Sequence, residues 1–341
     1  KTIALLFFAL VIVSAASLAM SYSSQPVGFI GLGIMGEGMA ARLISEKVAG
    51  SPSRALHVWN RSASKCEALK SKFPDANIVV EKSAKAVVEA CGVTYSMLST
   101  PEAAASVFND SAGTLAGVTS GKAIVDCATL AESDHQTMSA AVTAKSGVYM
   151  EAPVSGSKGP AATGTLIFLC GGPRSLFDAI ENDGLNAMGK ASHFLGESVG
   201  VGTQAKLVVN SVMGTMLAAF SEGIALSQAM GLDGKTMVEI FGQGACAAPM
   251  YKLKGNKITE SPPDHGTNFP LKHAHKDMAL ASDLAEKHGI AYATNDAAEK
   301  IFKRAREGEM GLQDLDFSAV FEQVFEDSKG TSEFSAKRQK K

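Results

Sequence analysis

No two of the five cysteines (Cys66, Cys91, Cys127, Cys170, Cys246) stand in a C-x-x-C pair, and their number is odd. That argues against a disulfide framework and a cysteine-ligated zinc site, and it predicts reduced thiols buried in the core. An excess of one charge is also missing: 32 Lys and Arg face 34 Asp and Glu, a formal net charge of −2. A chain so balanced offers nucleic acid no broad basic field. Its one basic cluster, Lys337-Arg338-Gln339-Lys340-Lys341, follows Ser, Gly and Thr and reads as a solvated tail over 328–341. His265, His273, His275 and Asp277 lack the matched acidic partners of a metal site. They read as a polar helix face, and no metal is predicted.

Long apolar runs occur in two places. The first, Ile3 to Val13, follows Lys1 and precedes small residues at Ser17 and Ala19. This is the form of a secretory signal, too short to span a bilayer, so residues 1–24 are set aside as a targeting segment and the mature protein is expected off the membrane. An organelle reached through the endomembrane system, such as a plastid, is the expected address, with cytoplasm and mitochondrion as alternatives. The second run, Lys206 to Met230, reads as a single helix apolar on all sides, which predicts burial between domains or in a homodimer or homotetramer.

From Val27 to about 198, short apolar runs alternate with helical patterns, the signature of βαβ units and a largely parallel, Rossmann-type sheet. Strands are expected at Val27–Ile30, Leu56–Trp59, Ile78–Val80, Val93–Leu98, Ala123–Asp126, Val148–Glu151, Leu166–Cys170 and His193–Leu195, with a helix over Ile34–Lys47. Residues 231–327 read as all-α, with breaks at Gly231, Pro249, Pro262-Pro263 and Gly289. The fold class is thus α/β, with a nucleotide domain over 25–198, an interdomain helix over 199–230 and a helical substrate and oligomerisation domain over 231–327.

The first strand runs into Gly31-Leu32-Gly33-Ile34-Met35-Gly36, a Gly-x-Gly-x-x-Gly turn that opens a helix. Such a turn brings backbone N–H groups and a helix N-terminus to a pyrophosphate. With 33 glycines in the chain, the spacing alone would arise by chance roughly 0.3 times. Looser copies occur at Gly200-x-Gly202-x-x-Ala205 and Gly242-x-Gly244-x-x-Ala247. The second strand supplies the missing context, because it ends at Asn60-Arg61-Ser62 where an NAD site would carry an acid. Arg beside an amide and a hydroxyl suits a 2′-phosphate, so NADP(H) is the expected cofactor. Farther on, Lys206 and Asn210 stand four apart on one helix face in an apolar helix, where a Lys could serve as general acid to a carbonyl oxygen. A snorkelling Lys at a helix start is the alternative.

Three motifs in order resemble the β-hydroxyacid dehydrogenase family over about 27–323. They are Gly-Phe-Ile-Gly-Leu-Gly-Ile-Met-Gly at 28–36, Glu-Ala-Pro-Val-Ser-Gly-Ser at 151–157 and Gly-x-Gly-x-x-x-Lys-x-x-x-Asn at 200–210. Within that family, Val58 to Cys66, Phe220 to Gly223, Phe269 to His273 and Asp314 to Val320 are most similar to the plant-type glyoxylate/succinic semialdehyde reductases. The resemblance implies NADPH-dependent reduction of small aldehyde acids, glyoxylate to glycolate and succinic semialdehyde to 4-hydroxybutyrate. A 3-hydroxyisobutyrate or tartronate-semialdehyde type dehydrogenase is the alternative in the same family, and a non-catalytic NADPH-binding relative the alternative outside it.

It further implies Lys206 as acid/base and Asn210 as the orienter of the substrate oxygen. Ser155, Gly156 and Ser157 would hold the substrate carboxylate, Thr129 would sit near the nicotinamide ribose or substrate, and Phe269 and Asp277 would close the site. Gly31 to Gly36, Asn60, Arg61, Ser62, Met97, Leu98, Ser99, Thr129 and Lys276 would contact the cofactor. Two departures stand out: Ala128 replaces a family Ser, removing a hydroxyl expected near the nicotinamide, and the Ala49–Ala55 segment is long, as a tolerant surface loop would be.

Overall fold

The computed structural model describes residues 22–260 and 263–328, so most of the 1–24 segment, Pro262 and the tail beyond Ser328 lie outside the described residues. The chain divides into two compact units, one ending at Lys206 and one beginning at Leu207.

In the first unit the strands are β1 (Val27–Ile30), β2 (Leu56–Trp59), β3 (Ile78–Val80), β4 (Val93–Ser96), β5 (Ala123–Asp126), β6 (Val148–Glu151), β7 (Val154–Ser155), β8 (Leu166–Gly171) and β9 (Gly189–Gly196). They form one sheet in the order β3-β2-β1-β4-β5-β6-β8-β7, with β9 beside β8. The pairs among β1 to β6 are all parallel, β1 pairing with β2 and β4 at Val27↔Leu56 and Val27↔Val93. The reversal from β2 to β4 across β1 is the switch point at which doubly wound sheets place ligands. β1 is buried on both faces, which is why it reads as an unbroken apolar run rather than an alternating one. Two apolar clusters, one around Phe29, Leu32 and Met39 and one around Ile30, Val87 and Tyr149, make up its core.

Three features go beyond the expectations. Val154 and Ser155 form a strand rather than a turn, pairing antiparallel with Phe168 and Ile167, so the sheet is mixed beyond β6. Tyr22 is buried in the first core and the Arg54 guanidinium donates to the Tyr22 and Gln25 carbonyls, so the folded unit begins at or before Tyr22 among the described residues. The Ala49–Ala55 segment is pinned at several points although Pro52 and Ser53 are exposed. Gly50 N donates to Arg54 O at 2.7 Å, Asn77 N donates to Gly50 O at 2.6 Å, and Arg54 pairs with Asp183 at 2.7 Å.

The second unit is helical: Gly234–Gln243, Pro249–Thr259, Leu271–Lys287, Ala293–Glu307 and Val320–Ser328 surround a core that includes Leu217, Phe220, Ile224, Phe302 and Phe321. The long helix runs from Val201 to Ala229, so the boundary between units falls inside it. It starts five residues before the expected Lys206. Its sides differ: Leu217, Phe220 and Ile224 are buried, whereas Val208, Val209, Val212 and Leu226 are 42–61% exposed, so within one chain the helix is not covered all round. Four cysteines are buried as expected, but Cys246 is exposed.

Candidate active site

The glycine loop is shaped by close backbone approaches. Gly31 has φ +96°, a conformation that favours glycine, and a Cβ there would meet the Met97 carbonyl oxygen. A Cβ on Gly36 would meet the Gly31 carbonyl oxygen, so the loop closes on the start of its helix (Gly36–Ser45) only without a side chain. Gly33 is different, since nothing lies within 4 Å of where its Cβ would stand. Its spacing in the motif therefore answers to the space above the loop rather than to the protein. These features fit a dinucleotide: open room over Gly33 and an exposed Ile34 beside it.

Asn60 serves the loop as well as flanking it. Its Oδ1 accepts from Leu32 N at 2.9 Å, and its Nδ2 donates to Ser62 O at 3.0 Å. The exposed Arg61 has no ion-pair or hydrogen-bond partner among the described residues. Met97 and Leu98 follow β4, the Met97 N–H donating to Ile30 O at 2.9 Å. Ser99 is exposed, and Thr100 caps the next helix by accepting from Ala103 N at 3.2 Å. The glycine loop, Asn60 to Ser62 and Met97 to Ser99 thus gather at the carboxyl ends of β1, β2 and β4.

Ser155 ends β7, Gly156 takes φ +129°, and Ser157 precedes the helix Lys158–Thr163. That helix packs tightly on the glycine-loop helix, where a Cβ on Gly38 would stand 2.9 Å from Ala161 C, so the turn and the loop are fixed to each other. Thr129 is half-buried one residue after Ala128. Ala128 itself is fully buried in the apolar cluster of Ile30 and Leu130.

Lys206 is 5% exposed, in the second turn of the long helix. Asn210 follows one turn later, and its Nδ2 donates to Asp277 Oδ2 at 2.6 Å. The other Asp277 oxygen lies 3.0 Å from Lys276 Nζ. In the same unit Phe269 is held by a buried ion pair: Lys254 Nζ donates to both Asp316 oxygens at 2.7 and 2.8 Å, and Asp316 Oδ2 accepts from Asn268 N and Phe269 N at 3.1 and 3.2 Å. Burial would raise the Asp316 carboxyl, but the Lys254 ammonium and the N–H donors outweigh it and hold it below its ordinary value. On Lys254 burial wins over Asp316, and its value is lowered.

Two of the histidines have acidic partners. His275 Nε2 lies 2.7 Å from Glu299, and His265 Nε2 3.2 Å from Glu322. His273 is pushed down to about 4, chiefly by burial and then by Lys276, with Asp277 opposing. Among the described residues no three His, Cys, Asp or Glu gather as a metal cluster.

Sequence reasoning passed over Glu151. It is fully buried at the end of β6, and its Oε1 accepts from Gly200 N and Gly202 N at 2.5 and 2.8 Å. Its Oε2 accepts from Thr203 N and Thr203 Oγ1 at 3.1 and 2.6 Å. A Cβ on Gly171 would stand 2.5 Å from Oε1 and one on Gly202 3.2 Å from Cδ, so these glycines make room for a carboxylate. The Gly-x-Gly at 200–202 thus closes around Glu151.

Comparison with known proteins identifies the family. The family model for the NAD binding domain of 6-phosphogluconate dehydrogenase matches residues 26–199, and that for the NAD-binding part of NADP-dependent 3-hydroxyisobutyrate dehydrogenase matches 200–324. The chain belongs to the β-hydroxyacid dehydrogenase family. As a member it is an NAD(P)-dependent oxidoreductase acting on CH–OH groups, with a nicotinamide dinucleotide-binding domain.

Among its relatives, glyoxylate/succinic semialdehyde reductase 2, chloroplastic, of Arabidopsis thaliana is 43% identical over 296 residues, 87% of this chain and 78% of the relative. Glyoxylate/succinic semialdehyde reductase 1 of the same plant is 41% identical over 298 residues, 87% of this chain and 98% of the relative. Human cytokine-like nuclear factor N-PAC is 32% identical over 308 residues, which span 90% of this chain and 53% of that protein. Of solved structures, a 3-hydroxyisobutyrate dehydrogenase from Salmonella typhimurium superposes with TM-score 0.76 at 22% identity, over 87% of this chain and 99% of its own. Psf3 in complex with NADP+ and 2-OPP does so with TM-score 0.76 at 25% identity and the same coverage.

Proposed function

We propose that this protein reduces small aldehyde acids, glyoxylate and succinic semialdehyde, with NADPH as the reductant and Lys206 as the general acid. The observation that carries the reading is Lys206, an amine 5% exposed on the helix that opens the family's second matched segment. A group that can give a proton to a carbonyl oxygen is what the reduction requires. The bound dihydronicotinamide supplies the hydride. Lys206 Nζ gives its proton to the substrate oxygen and takes it back in the oxidative direction.

Asp277 fixes the Asn210 amide by accepting from Nδ2 at 2.6 Å, and Asn210 orients the substrate oxygen. Ser155 and the N–H groups of Gly156 and Ser157 hold the substrate carboxylate, in a turn that carries donors and no negative charge. Thr129 and Phe269 flank the substrate. Gly31 to Gly36, Asn60 to Ser62, Met97 to Ser99 and Lys276 hold the cofactor, Arg61 taking its 2′-phosphate. The names of the relatives at 41–43% identity support this substrate class. Retention of Lys206 speaks against a non-catalytic role.

The purified protein should oxidise NADPH with glyoxylate or succinic semialdehyde, and Lys206→Ala should lower kcat by about 10²–10⁴ while cofactor still binds. Preference for 3-hydroxyisobutyrate with NAD, or full turnover in Lys206→Ala, would overturn the reading. An organellar address and a homodimer or homotetramer through the exposed Val208-Val209-Val212 face complete it. A fluorescent fusion of residues 1–40 that stays diffuse, or a monomeric mass by light scattering, would remove each.

A further inference from the structure

We infer that Glu151 is a positioning residue for Lys206, fixing from the end of β6 the helical turn that presents the amine; the inference rests on the role given to Lys206 above. A helix start needs only a local Ser, Thr or Asp to satisfy its first N–H groups. Here the acceptor comes instead from a strand far back in the chain. The Glu151 carboxylate takes four hydrogen bonds of 2.5–3.1 Å from Gly200, Gly202 and Thr203, at zero exposure. Those bonds supply what burial removes from the charge, and the helix N-terminus favours an anion.

The clamp has consequences for one residue above all. Lys206 lies three positions after Thr203, one helical turn along the same face, so any rotation or shift of the capped turn carries Lys206 with it. The other end of the clamp is the parallel sheet, because β6 pairs with β5 in register through Asp126↔Glu151. Glu151 therefore refers the position of the amine to the sheet whose strand ends carry the glycine loop. The surroundings are built to one geometry. Gly171 and Gly202 leave no space for a side chain of their own, Gly200 takes φ +121°, and His135, also fully buried, sets Nε2 3.9 Å from Oε2 while its Nδ1 stays 2.7 Å from Tyr149 Oη. Proton donation demands placement within a hydrogen-bond length, and a displacement near 1 Å can cost about 10²-fold.

The test uses the full-length enzyme and paired variants. Glu151→Gln turns one acceptor oxygen into an amide that faces N–H donors, so kcat should fall about 10–100-fold. KM for NADPH should stay within about twofold and the deuterium isotope effect from labelled NADPH should rise, because placement and not cofactor binding is lost. Thr203→Val should show a smaller fall in kcat, and Thr203→Ser, which keeps the hydroxyl, should restore it. The Thr203 pair decides the matter if Glu151→Gln fails to fold.

An unchanged kcat in Glu151→Gln, or equal behaviour of Thr203→Val and Thr203→Ser, overturns the positioning role. So does a parallel loss of kcat and cofactor affinity. Lys206→Ala separates this failure from that of the parent reading. Full turnover there removes the role of Lys206 itself, whereas turnover lost in Lys206→Ala but kept in Glu151→Gln removes only the clamp.

Discussion

The glycine loop and the helical unit are held by different means. The loop uses backbone: it is formed by a left-handed Gly31, a Gly36 pressed on the Gly31 carbonyl and an open Gly33, with one side chain, Asn60, bracing it at Leu32 N. The helical unit uses charged side chains that have been taken out of water. Phe269 is held by a Lys254–Asp316 pair at 2.7 Å, and Asn210 by Asp277 at 2.6 Å. Backbone geometry fails sharply when a single atom is added, whereas a buried ion pair fails when one partner goes, leaving a charge without compensation.

That contrast predicts which changes will do most harm, and where. Gly36→Ala puts a methyl where the Gly31 carbonyl stands, and it should abolish NADPH binding, read by fluorescence titration, while the melting of the helical unit is unchanged. Asp316→Asn should leave Lys254 buried without its counter-charge and cost about 3–5 kcal/mol in urea unfolding. A fall in that range from Gly36→Ala, or none from Asp316→Asn, would erase the distinction.

Arg61→Asp, an exposed change in the nucleotide unit, should spare stability and lower the preference for NADPH over NADH by about 10–100-fold in kcat/KM, the worth of a charge-assisted contact. An unchanged ratio would remove the 2′-phosphate assignment. The smallest effect concerns pH. His273 is lowered from 6.5 to about 4 in the fold, by burial first and by Lys276 and Lys272 against Asp277 and Asp314. The unfolded chain then binds a proton that the fold refuses. Stability should be full above pH 6.5, fall as pH drops toward 4, and level off below, by about 2 kcal/mol in a partly screened site. His273→Gln should flatten that slope.

What was legible in the sequence follows the same division. The strands β1, β2, β3, β5 and β6 lie where their apolar runs put them, because a strand covered on both faces has to be apolar throughout. Gly31, Gly33 and Gly36 could be read because the turn admits few other residues. The end of β4 at Ser96 rather than Leu98, and the strand at Val154–Ser155, depend on pairing partners that no local pattern encodes. The partners of the histidines are hidden for a related reason: the residues around His275 and His265 say nothing of Glu299 and Glu322, which arrive from other helices.

By itself the sequence determined the alternating βα order, the phosphate-type turn and the amine at Lys206, since each is written in local periodicity or a spacing of a few residues. Only the tertiary structure decided that Glu151 caps the helix of Lys206, that Ala128 faces the core, and that Tyr22 belongs to the fold. Those facts rest on contacts between residues far apart in the chain, and a carboxylate's partners are fixed by where the backbone brings N–H groups to it, not by its neighbours in sequence.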